Sequence, residues 1–124
     1  MKLKDIMRPK VPSATRTESA ALAWDRLHGE KVDHLVVIQG DDIVGTLSVR
    51  DLSGPGGGAH RRMGRTVGDL MHEKLVLATP GKTVAWAART MRKERVTCLP
   101  VIERGKLVGI VTMDEMLGVL ARRA

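Results

Sequence analysis

Val32-Asp33-His34-Leu35-Val36-Val37-Ile38 and, 64 positions further on, Val96-Thr97-Cys98-Leu99-Pro100-Val101-Ile102 carry the same spacing of branched apolar residues. Each run leads into a polar turn, Gln39-Gly40-Asp41-Asp42 or Glu103-Arg104-Gly105-Lys106, and then into a second apolar run around Val44-Gly45 or Val108-Gly109. Two such runs across a short Gly-containing turn read as an antiparallel hairpin. Outward from the hairpins the same offset pairs Asp5-Ile6-Met7 with Asp69-Leu70-Met71 and Ala14-Thr15 with Ala78-Thr79. Residues 2–52 and 66–116 align without a gap, with roughly 14 of about 51 positions identical, so the chain is one unit written twice.

Within each copy the periodicities give one order of elements. Short helical openings at 2–7 and 67–71 lead to extended segments at 11–14 and 75–78. Helices follow at 18–30, with Ala20, Ala23, Trp24 and Leu27 on one face, and at 83–94, with Val84, Ala87, Ala88 and Met91. Thr17 and residues 81–83 stand where caps are expected. Strands at 34–38 and 43–47, or 98–102 and 107–111, precede closing helices that start at Val49 and Met113. A strand–helix–strand–strand–helix unit cannot cover both faces of its sheet alone. The expected fold is therefore α/β (α+β): two β-α-β-β-α repeats packed around a pseudo-two-fold axis, with a cleft suited to a ligand. The expected boundaries are repeat 1 at 1–52, a Gly/Arg-rich linker at 53–65 and repeat 2 at 66–124. Ser53-Gly54-Pro55-Gly56-Gly57-Gly58-Ala59 lacks the Gly-Lys-Ser/Thr of a phosphate loop and reads as a flexible linker.

Composition narrows the function. At 124 residues and 43% apolar the chain suits a globular domain. It has no apolar run long enough to cross a bilayer and no apolar stretch at its N-terminus. With Cys98 as the one cysteine, a cytoplasmic, reducing location is expected and a membrane is not. The net charge of +7 lies wholly in residues 59–124, which hold thirteen Lys/Arg against six Asp/Glu. Such a surface suits solvent, or an anion such as a nucleotide phosphate, RNA or an acidic partner. Tyr and Phe are absent, so only Trp24 and Trp86 could stack bases, which makes nucleic acid the lesser expectation. Trp86 falls off the core face of its helix and is read as a contact to a second chain. The four histidines and Cys98 show no metal-ligand spacing, and no activated nucleophile is suggested, so no catalysis, metal or cofactor is expected.

The chemistry concentrates in Gly45-Thr46-Leu47-Ser48-Val49-Arg50-Asp51, where strand gives way to closing helix. Glycine permits close approach of a ligand or of backbone, Ser48 offers a hydroxyl at the cap, and Asp51 projects from the first turn. A carboxylate there can accept hydrogen bonds from both hydroxyls of a ribose, or can simply complement the helix dipole. The second copy reads Gly109-Ile110-Val111-Thr112-Met113-Asp114-Glu115, with Glu115 at the Asp51 position.

These residues, the Asp-x-Met openings and the Val96-x-x-Leu99-Pro100-Val101 strand resemble a tandem CBS-domain pair, the Bateman module, over nearly the whole chain. The resemblance implies a non-catalytic sensor of AMP, ADP, ATP or S-adenosylmethionine that regulates an unidentified protein and dimerises with a second copy. It further implies a site formed by Thr46, Leu47, Ser48 and Asp51 with Leu75, Val76, Val96, Thr97, Leu99 and Pro100. A second, weaker site would use Val11, Pro12, Val32, Asp33 and Leu35 with Ile110, Thr112 and Glu115. Glu115 is expected to misplace its carboxylate by one methylene, and Asp33 to add negative charge. Arg8, Lys10, His34, Arg50 and His72 are candidates for phosphate contacts.

Overall fold

The computed structural model describes residues 1–123. After a 3-10 turn at Leu3–Asp5 come β1 (Ser13–Ala14), α1 (Ala20–Glu30), β2 (His34–Gln39), β3 (Asp42–Ser48) and α2 (Val49–Leu52). A second 3-10 turn, Pro55–Gly57, is followed by α3 (Ala59–Arg62), α4 (Val67–Leu70), α5 (Val84–Glu94), β4 (Cys98–Glu103), β5 (Lys106–Thr112) and α6 (Met113–Arg123). Both hairpins form as the sequence implies. β2 pairs antiparallel with β3 and β4 with β5, and each ladder slips at the same place, Val37/Ile38 and Val101/Ile102. β1 adds to β2 in parallel, whereas its counterpart in the second copy is reduced to a bridge between Ala78 and Val101.

Two compact units result, and they cut across the sequence copies. One holds residues 12–75; the other joins residues 1–11 to the chain from 76 onward. Each copy's helical opening thus belongs to the unit built on the other copy's hairpin. In the first unit Val67 and Leu70 of α4 are buried with Ala20, Leu27, Leu35 and Leu47. In the second, Leu3 is fully buried with Ala87, Leu99, Val101 and Val111. Burying one leucine contributes about 1.5–3 kcal/mol, and a single hairpin and helix offer few such residues, so each opening completes a core that would otherwise be open.

Helices α1 and α5 begin at side-chain caps, Ser19 for Leu22 N–H and Thr83 for Trp86 N–H. Ser19, rather than Thr17, is the cap of α1: Thr17 lies in a turn, and Ser19 holds the extended conformation from which the helix starts. Both helices end on a left-handed residue, Lys31 and Arg95, at equivalent places in the repeat. Trp86 is half-buried against the core of its own unit, with the Lys82 ammonium 4.9 Å from its ring.

The Gly-rich segment read as a flexible linker is folded. Arg62 is buried, its Nη1 donating to the carbonyls of Leu52 at 2.8 Å and Gly57 at 2.9 Å. Its guanidinium lies 3.8 Å from the centre of the Trp24 ring, whose other neighbour is His28. Gly58 adopts φ +82°, and a Cβ there would sit 2.5 Å from the Leu52 carbonyl oxygen, so the glycine lets the chain close on the arginine. At the end of the short α2, followed by Ser53 and Gly54, Arg62 takes up the carbonyl of Leu52 and Arg61 that of Asp51.

Two outcomes follow for stability. Arg62→Ala leaves the buried Leu52 carbonyl and the part-buried Gly57 carbonyl without this donor and uncovers Trp24, and should lower the unfolding free energy by about 2–4 kcal/mol, whereas Arg61→Ala, at an exposed side chain, should cost less than about 1 kcal/mol. Urea unfolding of the two variants distinguishes them, and equal losses would remove Arg62 from this role. At the start of α4 the Thr66 N–H donates to Asp69 at 2.9 Å, and that backbone bond, with the Thr66 side chain and nearby Arg65, holds the Asp69 carboxyl below the usual carboxylate range. A carboxyl depressed on folding stabilises above its unfolded value and ceases to do so as pH falls. Asp69→Asn should therefore lower the melting temperature at pH 7 and make progressively less difference below about pH 4.

Candidate functional site

The expected site residues divide between the two units. Thr46, Leu47, Ser48, Asp51 and Leu75, with Pro12, Val32, Asp33 and Leu35, fall in the unit of residues 12–75. Val76, Val96, Thr97, Leu99 and Pro100, with Val11, Ile110, Thr112 and Glu115, fall in the other. Leu35, Leu47 and Leu99 are fully buried in their cores, backbone as well as side chain. Asp33 and Thr97 are exposed, and Val32 and Val96 are half-buried at the start of the strands they precede.

At the end of β3 the backbone turns into α2, and this turn fixes Asp51. Its Oδ2 accepts from the Ser48 N–H at 2.8 Å and the Ser48 hydroxyl at 3.0 Å, while the Asp51 N–H donates back to Ser48 Oγ at 3.2 Å. The remaining oxygen, Oδ1, lies 2.6 Å from Nε2 of His72. His72 arrives there through its backbone, exchanging hydrogen bonds with Thr46 at 3.0 and 2.8 Å. That approach requires Gly45, where a Cβ would stand 2.5 Å from the His72 carbonyl oxygen. The glycine of this motif makes room for a neighbouring strand of the protein itself.

The second copy repeats the arrangement with other residues. Arg8, 64 positions before His72, exchanges backbone hydrogen bonds with Ile110 at 2.9 and 3.0 Å. Glu115 Oε1 accepts from the Thr112 N–H at 2.7 Å and its hydroxyl at 2.8 Å, so the extra methylene does not cost the carboxylate its place at the cap. Oε2 instead meets Arg8 Nε at 2.7 Å, and Arg8 Nη2 also meets Asp114 at 3.0 Å. Contact with Glu115 holds the Arg8 guanidinium even above its ordinary, permanently charged range. Arg8 and His72, candidates for phosphate on charge alone, are thus both engaged with carboxylates. The signal was available: the offset that maps residue 8 onto 72 also maps 51 onto 115.

A feature the sequence reading missed is an apolar groove of about 860 Å³ beside α5 and α6, lined by Ala88, Met91, Met113, Met116, Leu117 and Leu120 among others. Leu117 and Leu120 are exposed along it. Ala88 is the repeat counterpart of Trp24, which in the first unit lies beneath Arg62. Among the described residues no group of three or more His, Cys, Asp or Glu could hold a metal ion, and no helix is long and apolar enough to cross a membrane.

Known proteins match this geometry. The model of the CBS domain fits residues 3–54 and again 67–122. Along 98% of its length the chain is 27% identical to the L-aspartate semialdehyde sulfurtransferase of Methanosarcina acetivorans, of which it spans only 24%. It is 25% identical over 92% of its length to the CBS domain-containing protein YhcV of Bacillus subtilis, covering 81% of that protein. The CBS domain pair of protein MJ0100, solved in complex with 5′-methylthioadenosine and S-adenosyl-L-methionine, has a TM-score of 0.84 to this structure at 22% identity, with 100% of this chain and 98% of that one covered. With the family's model matched once in each copy, the chain belongs to the CBS-domain family and carries its domain twice.

Proposed function

We propose that this chain is a non-catalytic sensor that binds an adenosine-containing small molecule, AMP, ADP, ATP or S-adenosylmethionine, and through it changes its affinity for a regulated protein. The observation that carries this reading is the Asp51 carboxylate. Its Oδ2 is fixed in orientation by Ser48, and its Oδ1 is held by an exposed imidazole rather than by buried protein. Two ribose hydroxyls need an oriented acceptor whose current partner can leave, and Asp51 meets both conditions. Thr46 and Leu75 belong to the same unit as Asp51. Val76, Val96, Thr97, Leu99 and Pro100 enter as the base-enclosing set from the family resemblance alone. Further support comes from the adenosine-containing ligands of the MJ0100 pair.

Glu115 is the weaker partner in this reading. Both of its oxygens are engaged, one by Thr112 and the other by a permanently charged arginine. The second site that the family resemblance implies, Val11, Pro12, Val32, Asp33, Leu35, Ile110 and Thr112 with Glu115, would therefore bind weakly. The competing reading is a protein-interaction or nucleic-acid-binding module, such as one for RNA, with an emptied nucleotide site, favoured by the net charge of +7 carried by residues 59–124.

Calorimetric titration with adenosine, AMP, ATP and S-adenosylmethionine tests the proposal. Charge-assisted hydrogen bonds are worth about 1.5–3 kcal/mol each, so Asp51→Asn should weaken binding tenfold or more, and Glu115→Gln should change it less than about twofold. Absence of nucleotide binding together with steeply salt-dependent RNA binding would replace this reading with the competing one.

A further inference from the structure

Residues 8 and 72 stand at one place in the repeat, the position after the methionine of each opening, and both reach the carboxylate at the end of a third strand. Their backbones are pinned alike, by a reciprocal pair of hydrogen bonds to Ile110 and to Thr46. Their side chains differ in what they can do. Arg8 grips two carboxylates, Glu115 at 2.7 Å and Asp114 at 3.0 Å, and its guanidinium does not lose its proton. His72 makes one contact, Nε2 to Asp51 Oδ1, with its side chain 68% exposed and open to rotation into water. Histidine is the side chain whose charge ordinarily changes between pH 5 and 8.

We propose that residue 72 sets the access of a ligand to Asp51: His72 is a proton-controlled latch on this carboxylate, while Arg8 keeps Glu115 permanently closed. The inference rests on the reading of Asp51 as the ribose acceptor. As an imidazolium, His72 competes with the ribose hydroxyls for Oδ1; once neutral, it holds Oδ1 by an uncharged hydrogen bond that a diol displaces more readily. Ligand affinity at Asp51 therefore rises with pH. Apart from His34, which pairs with Ser48 across β2 and β3 and stays in place in His72→Ala, the charged groups around the latch act in a fixed sense over this range. Arg61 donates to the Asp51 main-chain carbonyl at 2.8 Å, Glu73 faces Arg16 at 4.0 Å, and Arg50 and Lys74 flank the pair in sequence. None of these side chains is of a type that ordinarily titrates between pH 5.5 and 8.

Adenosine is the probe, because it carries no phosphate that His72 could attract. Calorimetry at pH 5.5, 7.0 and 8.0 on the full chain should show affinity increasing severalfold with pH. His72→Ala should bind at pH 5.5 at least as tightly as the native chain at pH 8.0, with no pH dependence. His72→Arg, which installs the residue found in the other copy, should bind about tenfold more weakly than the native chain at pH 8.0 and be equally flat. The latch is overturned, with the ribose reading intact, if Asp51→Asn abolishes binding yet His72→Ala keeps the pH slope, or if His72→Arg binds as the native chain does. Unchanged affinity in Asp51→Asn, or no adenosine binding by the native chain and His72→Ala at any pH, overturns the ribose reading itself and the latch with it. Melting curves of each variant establish that it is folded, which the retained backbone bonds to Thr46 lead one to expect.

Discussion

Two backbone hydrogen bonds in each unit, Thr46 with His72 and Ile110 with Arg8, hold the structure's main constraint in place. They fasten the opening of one copy to the third strand of the other copy, and everything near the carboxylates follows from that bond. The strand must carry glycine at the preceding position, since a Cβ on Gly45 would meet the His72 carbonyl at 2.5 Å. The residue so fastened must project its side chain toward the end of the strand, where the closing helix begins. A carboxylate at that point is then held from one side by its own cap and from the other by a nitrogen-bearing side chain, His72 or Arg8, delivered from elsewhere in the sequence. Exchange of the openings also seals the cores, since Leu3 and Val67 are fully buried only in the company of the other copy's hairpin.

Much of this was legible in the sequence because it repeats. The hairpins, the amphipathic helices and the cap residues Ser48 and Thr83 depend on local patterns, which two copies at one offset reinforce. What could not be read locally was partnership. Arg62 sits among glycines and basic residues, and nothing nearby announces that two carbonyls and the Trp24 ring will bury it. Arg8 and Glu115 are 107 positions apart, so charge alone suggested that Arg8 faced solvent or phosphate. Glu115 keeps the helix cap despite its longer side chain, and its second oxygen is taken up by arginine, a partnership that its length alone did not suggest. The flexible reading of 53–59 failed for a related reason: glycine lowers the cost of turns as well as of disorder, and Gly58 is used for a turn.

The copies differ most where the first closing helix stops. α2 ends after four residues, followed by Ser53 and Gly54, and the carbonyl of Leu52 is taken by Arg62. α6 continues to Arg123, and its apolar residues line a groove with Ala88, where the first copy has Trp24 under a guanidinium. One substitution pattern therefore has two effects: it covers an aromatic ring in one unit and leaves an apolar groove beside the long helix of the other.

The carboxylates show how a duplicated site can diverge without losing its frame. Capping satisfies the backbone at the helix start whether the acceptor is Asp51 or Glu115, so the fold does not depend on which acid is present. Freedom lies in the second oxygen and in the residue that meets it. A guanidinium with two acidic partners makes a closed network whose members cannot leave without stranding a charge, whereas a single imidazole contact at a largely exposed side chain leaves only one bond to break. The difference between the sites is thus carried by pairs, Arg8 with Glu115 and His72 with Asp51, rather than by either residue alone. Exchange of the openings makes such pairing possible, since it brings a residue from one copy to the acid of the other and lets each of these residues change independently of the strand it serves.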